Sequence, residues 1–173
     1  MFCLSQVALH AQEEADTSVN LNIKELEDLD WMMDTTFKVF KTKRFSNMQT
    51  VFPSFKSYKA FISKSEAGKQ TEYTQFAMYN AVWNSLRFQY TKTMKKAQDA
   101  KVEWKQTQLD TFYYEHSYYS GVEYAYVTWV MLTVKNKKFK ITATCLKMDN
   151  KWFIMDELKF AGIVVPPKTK KKK

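Results

Sequence analysis

The C-terminal part of the chain, from Val102 to Phe160, alternates between apolar and polar side chains over four successive segments. An alternation of period two is typical of β-strands that bury one face. We therefore predict four consecutive strands, at about residues 102–116, 122–135, 138–148 and 151–160. Short polar connections between them predict antiparallel hairpins, with a looser connection after His116 and a tight turn at Asp149-Asn150.

The residues before Val102 repeat their apolar side chains with helical spacing instead. Asn22 and Glu25 form a capping-box pattern, which predicts the start of a first helix. Ser54 is a good cap for a second helix, through about Ser63. No Gly or Pro interrupts residues 71–100, which predicts one long helix or two with a bend. We expect the aromatic stripe of this long segment to form the main cover over the sheet.

This order of elements predicts one α+β domain, in which N-terminal helices pack on a curled four-stranded antiparallel sheet. Three Gly and three Pro in 173 residues argue against long linkers. We assign residues 22–163 to the domain and residues 12–21 to a disordered acidic lead. Residues 164–173 are expected to form a disordered lysine-rich tail, because such a segment cannot bury an apolar core.

The first eleven residues are apolar and rich in small side chains, and the acidic pair Glu13-Glu14 follows soon after. This pattern predicts a truncated signal peptide that is cleaved near Ala11. The protein is then exported, to the periplasm, to the cell envelope or out of the cell. The alternative is a cytoplasmic protein with a frayed N-terminus.

The net charge of +9 is unevenly distributed. Residues 1–34 hold eight acids and one base, a net charge of −7, and residues 35–173 hold ten acids and 26 bases, a net charge of +16. One interpretation is an acidic first helix lying against a basic body. The other is an anionic polymer or membrane as partner, with weak contact through the lysine tail. Only Arg44 and Arg87 are arginines, which argues against sequence-specific recognition of nucleic acid.

The last predicted strand carries a family resemblance. Its turn and alternating segment, Asp149 to Asp156, contain an Asn-Lys-Trp sequence that resembles the C-terminal strand of the nuclear-transport-factor-2-like superfamily. The stretch Phe45–Pro53, with the aromatic residues after it, is similar to small exported bacterial members of that superfamily. The resemblance implies a cystatin-like roll with a cone-shaped cavity between helices and sheet. Because only Ser63 to Gln70 separate the second and third helices, we expect a truncated version.

The function predicted from this resemblance is a non-catalytic binding or interaction module that holds a small apolar ligand in the cavity. The predicted lining is aromatic and consists of Tyr79, Trp83, Trp104, Tyr126 and Trp152. In addition, the second strand is apolar on both faces. A strand of this kind is central or meets another surface, which predicts a homodimer or a protein partner on the second sheet face.

The alternative is a small-molecule isomerase or lyase, since some members of the superfamily use a carboxylate in an apolar cavity. Asp110, Asp156 and His116 are the candidate acid–base residues. Each also has a structural interpretation: the aspartates as ion-paired or rim residues, and His116 as an exposed turn residue. The sequence has no glycine-rich phosphate loop, and Cys3 and Cys145 form no metal-ligand pattern. We therefore expect no cofactor and no metal.

Overall fold

The computed structural model describes residues 23–63, 65–119, 121–133 and 137–164, with side chains from Asp28 onwards and without that of Tyr119. Its helices precede its sheet in the chain. The elements are α1 (Ile23–Thr42), α2 (Phe55–Ile62), α3 (Glu72–Asp99), β1 (Gln108–Tyr119), β2 (Val122–Leu132), β3 (Lys138–Met148) and β4 (Lys151–Val164), with 3-10 turns at Phe45–Val51, Glu66–Lys69 and Trp104–Gln106. The predicted α+β class is confirmed, and the sheet is curled but not closed.

The four strands pair in sequence order, and every pairing is antiparallel. One face of the sheet, which we call the inner face, is buried. It carries Ala125, Val127, Trp129 and Met131 of β2 opposite Cys145, Ala143, Ile141 and Phe139 of β3. The opposite side, here the outer face, carries the alternate residues of the same strands. The hydrophobic core therefore lies between the inner face and the helices.

Helix α1 contacts the central strand β2 directly. The indole Nε1 of Trp129 donates a hydrogen bond of 2.9 Å to the carbonyl of Met33. Phe40 packs edge-on against Trp129 and stacks on Trp104 and Tyr90. Helix α1 thus packs on the centre of the inner face, whereas α3, the expected main cover, makes the most extensive contact between a helix and a strand, along β4.

Helix α3 runs along the edge strand β4 as one continuous helix from its cap at Thr71. The side-chain oxygen of Gln89 accepts a hydrogen bond of 2.8 Å from the Leu158 amide, and its nitrogen donates to Asp156. Thr93 donates to the carbonyl of Leu158 at 3.0 Å. Edge strands leave backbone groups unpaired. Helix α3 supplies hydrogen bonds to the backbone amide and carbonyl of Leu158, in a part of β4 whose pairing with β3 is irregular.

The turn at Asp149-Asn150 is confirmed, with φ values of 50° and 60° that suit a type I′ hairpin. Strand β1 differs from the prediction at both ends: Trp104–Gln106 forms a 3-10 turn before it, and the strand continues past His116 to Tyr119. Strand β4 extends to Val164. The predicted cap Asn22, the lead, the signal segment and residues 165–173 lie outside the described residues.

Candidate binding surfaces

The five aromatic residues predicted to share a cavity occupy four separate places. Tyr79 and Trp83 are neighbours on α3 and both contact Phe52. The Tyr79 hydroxyl donates to the carbonyl of Pro53 at 3.0 Å. Other aromatic rings fill this part of the structure, since Phe45 packs on Trp83 at 4.6 Å between ring centres.

The other three predicted lining residues lie elsewhere. Trp104 is buried between Phe40 and Phe139, and Trp152 is buried on the inner face beside His116. Tyr126 lies on the outer face, because it alternates with Ala125 and Val127, which belong to the inner face. Tyr126 thus cannot line a cavity between helices and sheet, and the predicted set of five does not converge.

The two candidate aspartates lie on opposite edge strands. Asp110 sits at a bulge of β1, and Lys138 donates to its carboxylate at 2.7 Å. Asp156 on β4 is exposed and accepts hydrogen bonds from Gln89 and from the Glu157 amide. The strand order places the whole sheet between these carboxylates, so they do not form a pair that could act on one substrate.

The candidate His116 is a buried strand residue, and its interpretation as an exposed turn residue is wrong. The cause is the continuation of β1, which places His116 on the inner face against Trp152 with 5.7 Å between ring centres. Its Nε2 lies 3.7 Å from a carboxylate oxygen of Glu123, which in turn accepts a hydrogen bond of 2.9 Å from Lys147. Neither ring nitrogen has a hydrogen-bond partner among the described residues.

Glu123 and Lys147 were missed as candidates, although each is a charged residue that alternates in phase with apolar residues of its strand. Both lie on the inner face, and they pair with each other there, as buried charges do. The two residues line a depression of about 170 Å³ near the β3–β4 turn, and His116 does not line it. The ion pair of Glu123 and Lys147 is therefore accessible from this depression, whereas the imidazole of His116 is not.

A larger depression, of about 240 Å³, lies on the outer face, and all its lining residues belong to the four strands. We call it the outer groove. It is lined by Tyr113, Glu115, Tyr126, Val127, Thr128, Thr142, Ala143, Glu157 and Lys159. Tyrosine rings, hydroxyls and charges of both signs thus meet at one surface.

The side chains around the outer groove are held by hydrogen bonds. Lys140 donates to the Tyr113 hydroxyl at 2.9 Å, and this hydrogen bond lowers the pKa of Tyr113. Thr144 donates to Glu157 at 3.0 Å. The Thr142 hydroxyl is buried without a partner among the described residues. The side chains around the groove are therefore largely pre-organised.

Burial raises the pKa of two interior groups by a large amount. Burial raises the pKa of the Cys145 thiol, so this cysteine is an inert core residue. Burial also raises the pKa of Tyr90 to about 12, and the Tyr90 hydroxyl has no hydrogen-bond partner among the described residues. Neither group lines either depression.

The raised pKa of Tyr90 predicts a specific loss of stability in alkali. Because the folded state keeps the phenol proton more tightly, its contribution is complete below pH 10 and is lost as the pH rises towards about 12. At about pH 11 we expect wild type to lose about 1 kcal/mol more than Tyr90→Phe, relative to about pH 8. Urea unfolding at both pH values measures this difference. Equal alkaline losses in the two proteins would contradict it.

Comparison with known protein families, with curated proteins and with solved structures found no match. The resemblance to the nuclear-transport-factor-2-like superfamily therefore stays a prediction. In the described part of the chain, no group of three or more His, Cys, Asp and Glu side chains is placed to hold a metal ion. None of the described helices has the length and hydropathy that a membrane span needs.

Proposed function

We propose that this protein is a non-catalytic interaction module whose outer sheet face binds a second copy of the chain. The observation that carries this proposal is the outer groove, whose lining comes from the sheet alone. Tyr113 and Tyr126 are 44% and 38% exposed on this face, and tyrosine is enriched among the residues that dominate binding energy at interfaces. Export of the protein stays a prediction.

Charge supports a second copy as the partner. Two chains of net charge +9 repel each other at most orientations. Around the outer groove, however, Glu115 and Glu157 balance Lys140 and Lys159. A surface with equal numbers of both signs can meet its own copy about a two-fold axis, because each acid can face a base.

The size of the face supports a macromolecular partner. Four strands about 4.8 Å apart and about eleven residues long span roughly 600 Å². A specific interface of standard size buries about 800 Å² on each partner. The outer face and its rim therefore approach the area that a stable dimer needs, whereas a small ligand would occupy only the groove.

Sedimentation equilibrium across the micromolar range tests this proposal. We expect a dimer for wild type and a monomer for Tyr126→Arg, with association weakened at least about 30-fold, as for a central interface residue. The new arginine lies across from Glu115 in the strand register and can pair with it, so the fold is preserved.

The matched control is Gln49→Arg, which adds the same charge at an exposed position of the first 3-10 turn. It should dimerise like wild type. A wild-type protein that stays monomeric throughout the range would contradict the proposal. A Tyr126→Arg variant that associates as tightly as Gln49→Arg would also contradict it.

A further inference from the structure

The second half of α3 concentrates positive charge on its exposed side. Residues 87–99 hold four bases and one acid, whereas residues 72–86 hold one acid and no base. The acid, Asp99, is paired with Lys95 at 3.2 Å. Arg87, Lys92 and Lys96 form no ion pair with the described residues. This half of the helix is therefore a strongly basic surface.

An exposed aromatic ring lies within this basic surface. Phe88 is 69% exposed, next to Arg87 and one helical turn before Lys92. Gln89 and Thr93 bind β4 on another side of the same helix, so Phe88 and its neighbouring bases face away from the sheet. We call Arg87, Phe88, Lys92, Lys95 and Lys96 the α3 basic face.

We propose that the α3 basic face binds the surface of an anionic lipid membrane. Helices that lie on membranes combine basic residues with exposed aromatic side chains, and the ring enters the boundary between headgroups and acyl chains. Each lysine or arginine near such a surface strengthens binding about fivefold. The proposal is independent of the outer face, because α3 packs along the inner side of β4.

A membrane suits this face better than a nucleic acid. Non-specific binding of single strands uses several rings on which successive bases stack, and Phe88 is the one large aromatic side chain among residues 87–99 that is mostly exposed. Arginine, which reads bases by paired hydrogen bonds, occurs only once on the face. Lysines around a single exposed ring fit headgroup phosphates above an apolar layer.

The test measures co-sedimentation of the full chain with vesicles of phosphatidylcholine alone or mixed with phosphatidylglycerol. Wild type should bind only the mixed vesicles. Lys92→Glu/Lys96→Glu should bind them at least about tenfold more weakly, since four units of charge change at the surface. The matched control Lys56→Glu/Lys151→Glu makes the same change in net charge at exposed positions outside the face, and should keep most of the binding.

A second pair of variants tests the ring. Phe88→Ala should weaken binding to the mixed vesicles about tenfold through the lost burial of the ring. Tyr73→Ala should not, although Tyr73 is 84% exposed at the other end of α3. Circular dichroism verifies that all variants remain folded.

Three results would overturn the proposal. The first is an equal loss of binding in both double variants, which would mean that net charge or the lysine tail alone drives binding. The second is full binding by Phe88→Ala, which would leave the ring without a role. The third is binding of a short DNA duplex, but not of vesicles, that depends on Lys92 and Lys96.

Discussion

Replacing Trp129 by alanine is expected to lower the free energy of unfolding by about 3–5 kcal/mol. The side chain is fully buried on the inner face, and it joins α1 to the sheet through the hydrogen bond to the Met33 carbonyl. Its removal leaves a large cavity and takes away this hydrogen bond. A domain of this size is stable by only about 5–15 kcal/mol, so the loss is a large part of the total. Urea unfolding followed by circular dichroism measures it.

A second substitution at the same position separates packing from hydrogen bonding. Trp129→Phe keeps an aromatic ring but removes the donor to Met33, and we expect a loss of about 1–3 kcal/mol. A loss below about 1 kcal/mol for Trp129→Ala would contradict the position of α1 on the central strand, because replacing a fully buried tryptophan by alanine lowers the free energy of unfolding by more than that.

The second large effect is expected for Phe40→Ala, at about 3–5 kcal/mol. Phe40 connects three rings: Tyr90 at 6.0 Å, Trp104 at 5.4 Å and Trp129 at 6.2 Å between ring centres. It thus joins α1, α3, the segment before β1 and the sheet. The same unfolding measurement applies.

The control for Phe40→Ala is Phe88→Ala, the same chemical change at an exposed position, which should alter stability by no more than about 0.5 kcal/mol. Because Phe40 and Trp129 are in contact, the double variant should lose less than the sum of the two single losses. Equal effects at Phe40 and Phe88, or strict additivity with Trp129, would contradict this packing.

The sequence was sufficient for the class of fold because periodicity is a local property. Alternation along 102–160 predicted a four-stranded meander, and the uninterrupted segment 71–100 predicted one long helix or two with a bend, of which the structure has the single helix. The Asp149-Asn150 turn was also predictable, since both residue types tolerate positive φ. Each of these elements follows from neighbours in the chain rather than from distant contacts.

The placement of the aromatic residues was not predictable. Alternation shows which residues of a strand share a face, but it does not show which of the two faces is buried. Strand β2 is apolar on both faces, so Tyr126 and Trp129 were equally good candidates for the interior. The bulge at Asp110 and the irregular pairing of β4 between Lys151 and Val164 shift the parity further along both edge strands. Only the pairing register decides these positions.

The predicted acid–base residues lie apart from one another for a related reason. Asp110 and Asp156 share parity with apolar neighbours, but each lies at a strand irregularity that turns it towards a local polar partner. His116, Glu123 and Lys147 come together only through the pairing of three strands. The sequence near each residue carries only one signal of such a contact. This signal is a charged residue that alternates in phase with the buried residues of its strand.

The two proposed surfaces lie on different sides of the sheet, so both can be used at once. A dimer joined through the outer faces carries two copies of the α3 basic face. If both copies reach one membrane, the second contact is intramolecular, and apparent affinity rises without any new kind of contact.

The most direct test of the outer face as the binding surface is hydroxyl-radical footprinting of wild type at low and high protein concentration. If the account is right, oxidation of Tyr113 and Tyr126 falls as the concentration rises, because their exposed rings become covered in the dimer. Oxidation of Tyr73, which is 84% exposed on α3, stays constant and serves as the internal control. Unchanged oxidation of Tyr126 in a sample that sediments as a dimer would contradict the central claim.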